Sequence, residues 1–186
     1  GKIVPVIAVS PPKEIGVKEF MNLVIEYLPS PLDAPAKTGH LAGKEEEKVS
    51  LTAKEDEPFS GQIFKIFNDP FGRMVYFRVY SGTLESSSNI YNANNGASER
   101  VGSVMQIFGK EQNAVDKAIP GDIVAIAKVD NVQLGETLAS EKVPVVYARP
   151  DYPTPMVSLA VQPKSRGDEQ KITAALGKLA EEDLTF

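Results

Sequence analysis

Apolar residues change their spacing several times along the chain, and each change predicts a different element. Ile3 to Val9 (IVPVIAV) is a nearly continuous apolar run, the pattern of a strand buried on both faces. A turn rich in Pro and Gly follows, SPPKEIG. Val17, Phe20, Met21, Val24, Ile25 and Leu28 then recur every three or four positions, which predicts an amphipathic helix that ends at LPSPLDAP. From Phe59 to about Ser140 the period becomes two. Val75, Phe77 and Val79 fall on one strand face, and Tyr76, Arg78 and Tyr80 on the other. Asp69, Pro70 and Gly72 supply a turn between the first two of these strands. NANNG (Asn92 to Gly96) marks a second hairpin, and IPG (Ile119 to Gly121) a turn before the run GDIVAIAKV. Many short strands packed this closely predict an antiparallel barrel rather than a sandwich, because closure removes the edges. Beyond them, Met156 to Gln162 reads as another strand, and Ile172, Ala175, Leu176, Leu179 and Ala180 as a second helix. Ser165 with Asp168 three residues later resembles the capping box that starts such a helix.

The expected fold is therefore mainly β: a small antiparallel barrel flanked by two incomplete α/β units. One strand and one helix cannot cover both faces of the strand, so each end reads as a piece of a larger sheet. Such ends are expected to pack on the barrel, on each other or on a second copy, burying Ile3, Val6, Ile7, Leu176 and Leu179. Asp33 to Glu57 carries seven acids, four bases and few large apolar residues, and reads as a mobile acidic linker. The predicted division is a βα unit over 1–32, the linker over 33–58, the barrel over 59–148 and a second βα unit over 149–186.

Composition narrows the chemistry. Of 186 residues, 42% are hydrophobic and 24% charged, an ordinary globular balance. A formal net charge of -5 argues against bulk attraction to nucleic acid and leaves room for a local basic patch. With no cysteine there is no disulfide framework and no thiolate metal site, which fits a cytoplasmic protein. His40, the one histidine, rules against a histidine-based zinc site or catalytic triad. No apolar run reaches the length of a membrane span, and GKIVPVIAV lacks the pattern of a signal peptide. A start at Gly rather than Met points to an excised piece. GHLAGKE looks like a phosphate loop, but the interval from Gly39 to Gly43 is one residue short and Glu45 replaces the metal-binding hydroxyl. Glu45 to Glu47, and Glu181, Glu182 and Asp183, read as solvated acids.

Four segments in this order resemble elongation factor G, the translational GTPase of ribosomal translocation. YLPSPLDAP is similar to the end of that family's GTPase domain. DEPFSGQIFKIFNDPFGRMVYFRVYSGTL is similar to the opening of its second domain, a translation-factor-type β-barrel. IPGDIVAI and LGETL resemble later strands of that barrel, and YPTPMVSLAVQPKSRGDEQKITAALGKLAEEDLTF resembles the start of its ferredoxin-like third domain. Two departures stand out. The guanine-contacting loop of the family begins Ser-Ala, whereas here Ser10 is followed by Pro11 and Pro12, and proline removes a backbone donor. The altered loop points to a divergent paralogue, and GKEQ resembles the family's second branch.

The resemblance implies a parent that hydrolyses GTP on the ribosome using GTP/GDP and magnesium, with Ser10 and Pro11 in its guanine loop. This stretch itself is expected to carry no catalytic residue, metal or nucleotide. The barrel is expected to dock the factor on ribosomal RNA and to couple the GTPase domain to the later domains. The candidate RNA contacts are Arg73 at a turn, Arg78 on an outward strand face, and Arg100. Phe64, Phe67, Phe71, Tyr76, Phe77 and Tyr80 read either as core and interface packing or as a base-stacking platform. Two alternatives stand beside the translocase reading: a stand-alone, non-enzymatic barrel that binds nucleic acid or protein, and a paralogue that recycles or protects ribosomes.

Overall fold

The alternating region folds as its pattern requires. In the computed structural model, which describes residues 3–69 and 72–186, the strands β3 (Ser60–Asp69) and β4 (Gly72–Ser81) form a long antiparallel hairpin. The expected turn there pairs Asp69 with Gly72, while Pro70 and Phe71 lie outside the described residues. Val75, Phe77 and Val79 are fully buried, as the period-two reading demands.

Further strands follow in turn: β5 (Leu84–Glu85), β6 (Asn89–Asn92), β7 (Ser98–Arg100), β8 (Val104–Phe108), β9 (Glu111–Val115), β10 (Lys117–Ala118), β11 (Ile123–Ala127) and β12 (Thr137–Ala139). Eight of the strands form one antiparallel sheet in the order β7-β6-β12-β3-β4-β11-β8-β9. The short ribbon β5–β10 supplies Leu84 and Ala118 to the same apolar core, and the sheet curls around that core as a half-barrel. NANNG closes the β6–β7 hairpin with Gly96 at φ 76°. The turn before β11 is held by Asp122, whose Oδ2 accepts the Ile119 N–H at 2.9 Å. Register slips between Ile63 and Lys65, so Phe64 is a bulged residue and Ile63 and Ile66 can both face inward.

The acidic segment is not a free linker. β1 (Lys37–Leu41) and β2 (Lys44–Leu51) form a hairpin, and β13 (Val145–Val146) pairs with the other side of β1, giving a three-stranded sheet in the order β13-β1-β2. The charges misled because β2 is an edge strand: Lys44 to Lys48 are exposed, while Leu51 is buried. GHLAGKE is the turn and flank of this hairpin rather than a phosphate loop. A Cβ at Gly39 would lie 2.3 Å from the Val146 carbonyl oxygen, so glycine there serves the close approach of β13.

A second apolar cluster of Leu51, Ala93, Ala139, Val145 and Tyr147 joins this sheet to the barrel. The Tyr147 hydroxyl lies 2.7 Å from Ser60 Oγ, which is 2.6 Å from Ser81 Oγ, and Ser81 donates to the Pro58 carbonyl at 2.7 Å. Tyr147 and Tyr80 meet edge to face at 5.6 Å. Above them Lys37 Nζ sits 4.0 Å from the Tyr80 ring centre and donates to Gln62 Oε1 at 3.3 Å.

The chain divides into one compact unit ending at Ala34 and a second over residues 35–186. In the first, helix α1 (Val17–Tyr27) forms where the spacing predicts it, after Gly16 in the left-handed region at φ 74°. None of its residues is buried. Ile3 to Val9 is not a strand: Ile3, Val4 and Val6 are exposed, because among the described residues no strand lies beside them to pair with. Met156 to Gln162 likewise forms no strand and is exposed, against expectation.

In the second unit, helix α2 (Glu169–Glu182) forms where its spacing predicts it and packs on β3. Leu176 is half-buried, whereas Leu179 stays 46% exposed. Ser165 and Asp168 pair side chain to side chain at 2.7 Å, but the Ser165 hydroxyl caps no backbone N–H. The capping box forms instead at Ser30 and Asp33.

Candidate functional site

Strand parity places the candidate arginines. Arg78 belongs to the outward set of β4, opposite Gln62 of β3 and Ile123 of β11, and its side chain is exposed. Around it the outer face carries Lys65, Tyr76 and the exposed rings of Phe64 and Phe67, with Ile123 half out of the sheet. Lys65 Nζ lies 5.6 Å from the Tyr76 ring centre and 5.7 Å from that of Phe67, within cation–π range of both. Phe77, grouped with these aromatics in the sequence, points the other way into the core.

Arg100 is exposed on β7, the terminal strand of the sheet, and pairs with Asn89. Four inter-strand steps separate β7 from β4, roughly 19 Å along the curved sheet. Arg78 and Arg100 therefore do not form one cluster. Among the described residues neither has a carboxylate within ion-pair distance.

Arg73 differs from both. It shares the inward parity of Val75, Phe77 and Val79, and its side chain is only 13% exposed. Its guanidinium donates to the backbone carbonyls of Val129, Asp130 and Val132, the last at 2.7 Å. Nε faces Glu181 Oε2 of α2 at 3.6 Å. The geometry gives Arg73 an internal role in place of the phosphate contact expected of it. Glu182 departs from the solvated reading, since its Oε1 accepts the Asn68 N–H at 2.7 Å, whereas Glu181 stays exposed beside Arg73. Asp183 accepts from the Thr185 hydroxyl and N–H, which hold its carboxyl below the usual range.

Ser10 and Pro11 sit in a tight turn closed on itself. Ser10 N–H donates to the Ile15 carbonyl at 2.9 Å, and Lys13 N–H to the Ser10 carbonyl at 3.0 Å. Pro11–Lys13 is a single 3-10 turn with no side-chain cap from Ser10. Among the described residues no three His, Cys, Asp or Glu side chains group as a metal site.

Sequence reasoning missed a buried polar cluster at the barrel end. Glu136, 4% exposed, accepts from Asn92 Nδ2 at 2.7 Å, from the Gln133 N–H at 2.9 Å and from Arg149 at 2.9 Å. The signal was present in LGETL, where an acid is flanked by two inward apolar residues, Leu134 and Leu138.

The comparisons with known proteins agree with this architecture. Residues 58–141 match the model of elongation factor G domain 2, and residues 152–186 match that of elongation factor G domain III. A crystal structure of a protein from Thermus thermophilus is similar over 95% of this chain, at 30% identity and a TM-score of 0.69. The alignment spans 24% of that longer chain. With the barrel and the helix that follows it both matched in order, the chain belongs to the elongation factor G family and covers its second domain and the start of its third.

Proposed function

We propose that this stretch belongs to a cytoplasmic ribosomal translocase GTPase and that its barrel docks the factor on small-subunit ribosomal RNA. The intact protein would bind GTP with magnesium through a GTPase domain, with Ser10 and Pro11 in its guanine loop. The stretch described here would do no chemistry. Its contribution is a rigid scaffold between the GTPase domain and the later domains. The observation that carries this reading is the outer sheet face, where Arg78 stands exposed beside Lys65 and Tyr76, without an acidic partner among the described residues. A guanidinium on a rigid strand suits the bidentate recognition of phosphate. Among the described residues no helix is long and apolar enough to cross a membrane.

The test is Arg78→Glu in the intact protein. Ribosome-stimulated GTP hydrolysis should fall at least tenfold, and binding of free nucleotide should be unchanged. Binding to ribosomes should lose salt dependence, the logarithmic slope dropping by about one for each phosphate contact removed. Wild-type stimulation at low salt would remove Arg78 from the interface. Arg100→Glu is the companion variant, and it probes a separate contact because it lies far along the sheet.

The exposed rings of Phe64 and Phe67 with Lys65 favour one second reading, a barrel that stacks unpaired bases. Tight binding of this chain to a short single-stranded oligonucleotide, abolished by Phe67→Ala, would support it.

A further inference from the structure

Among the described residues, Arg73 is the one arginine of the barrel drawn inward, and its contacts join two parts of the molecule that the sequence keeps far apart. We propose that Arg73 is a latch that docks helix α2 on the barrel and couples that docking to the order of the 129–132 segment.

Three observations converge. First, two successive acids near the end of α2 meet one cross-strand pair of the β3–β4 hairpin. Asn68 and Arg73 are partners in the ladder, and they face Glu182 and Glu181 respectively. The Glu182 contact is a short charge-assisted hydrogen bond. The Glu181 contact is a longer ion pair, and Arg73 Nε has no hydrogen-bond partner. Second, the rest of the α2 interface is loose. A cavity of about 210 Å³ lies between helix and barrel, lined by Ile66, Val132, Leu134, Gly177, Ala180 and Leu184 among others. A Cβ at Gly177 would touch nothing within 4 Å. An interface so open derives little from close packing, so the polar contacts at the helix end weigh more than usual. Third, the segment that receives Arg73 is gripped from its other side as well. Glu99 of β7 accepts the N–H groups of Asp130 at 3.2 Å and Asn131 at 2.9 Å, and Asn92 and Asn95 donate to the Asn131 carbonyl.

The consequence is a shared element with two handles. The β6–β7 hairpin holds the segment by two N–H groups and the Asn131 carbonyl, and Arg73 holds it by the carbonyls of Val129, Asp130 and Val132 while reaching α2. Release of α2 loosens Arg73, and disorder in the segment removes the groove in which Arg73 lies. By linkage each event must favour the other. An undocked α2 would also melt, since a fourteen-residue helix with a central glycine is marginal in water. Docking is therefore readable as helix protection.

The test is amide hydrogen exchange on the 186-residue chain, comparing the wild type with the double variant Glu181→Gln/Glu182→Gln. That variant leaves every carbonyl bond of Arg73 intact. The α2 amides and the Asn68 amide should exchange about tenfold faster or more, as expected when the ion pair to Arg73 is removed and a charge-assisted hydrogen bond is left neutral. The amides of Asp130 and Asn131 should accelerate with them, while those of Val75 and Phe77 stay as protected as before. Unchanged exchange in α2 would overturn the latch. Acceleration in α2 with Asp130 and Asn131 unaffected would overturn the coupling. A second variant, Arg73→Lys, keeps the charge but cannot fork between carbonyls. It should loosen Asp130, Asn131 and α2 together. Equal acceleration of Val75 and Phe77 would make Arg73 a core residue and not a latch.

Discussion

Tyr147 illustrates how much one side chain can hold. Its ring closes the apolar cluster under the three-stranded sheet, and its hydroxyl completes the Ser60–Ser81 network. Tyr147→Phe keeps the ring and removes the hydroxyl, so urea unfolding should register a loss of about 1 kcal/mol. Burial also pushes the Tyr147 hydroxyl above its ordinary value near 10, with the Ser60 hydrogen bond opposing. A raised value means that its stabilising effect is complete below about pH 10 and is lost as pH climbs through the folded-state value. Alkaline unfolding of Tyr147→Phe should accordingly be flatter in that range than that of the wild type, and coincident curves would assign the alkaline transition to other groups. At Gly39 the prediction is steric: Gly39→Ala drives a methyl into the Val146 carbonyl and should cost roughly 1–3 kcal/mol, measured the same way. Parity made part of the residue picture readable in advance. Arg78 follows Phe77 and so had to face out, whereas Arg73 is two residues before Val75 and so had to face in. Its position at a turn obscured that rule. Nothing local to Glu181 or Glu182 disclosed their partners, because Asn68 and Arg73 are more than a hundred residues away in sequence.

Among the elements, the hairpin β1–β2 is one whose contribution to stability can be separated from that of the barrel. It lies wholly ahead of residue 58, where the domain 2 match begins, yet it belongs to the same compact unit as the barrel. A chain starting at Pro35 should unfold at the same denaturant concentration as the full chain. One starting at Pro58 should unfold at a clearly lower concentration, because it exposes Tyr147 and Val145, now 1% and 0% exposed. Equal midpoints for the two truncations would mean that the hairpin is only an appendage. The helices were legible because a 3.6-residue period survives whatever the helix packs on. The central strand β4 was legible because it has one wet face and one dry face, whereas β12 is buried throughout and β9 is largely exposed. The terminal runs misled for a related reason: continuous apolarity describes what a strand needs, not whether a neighbour is present to satisfy it. The bulge at Phe64 was hidden in IFKIF, where apolar residues fit either register and only the pairing with β4 selects one.

For the molecule as a whole, the family assignment and the exposed arginines carry the functional proposal, while the acids decide how the chain behaves towards its own copies. The outermost strand of the three-stranded sheet is β2, and its free side is a row of unpaired backbone donors and acceptors. Along it run Lys44, Glu45, Glu46, Glu47 and Lys48, all exposed, with Lys44 paired to Glu47 at 2.8 Å. A charged edge repels a second edge of the same kind. The run that resembles a linker is therefore expected to guard against fibrillar growth. Replacing Glu45, Glu46 and Glu47 with threonine would keep the hairpin and raise its strand propensity while removing the repulsion. Such a variant should melt no earlier than the wild type and yet become turbid at concentrations where the wild type stays clear, with light scattering that rises after a lag and aggregates that bind thioflavin. Clear solutions throughout would locate the protection elsewhere. Colloidal behaviour of this kind separates from folding stability, and three carboxylates that add nothing to the core would then set the concentration at which the protein can be kept.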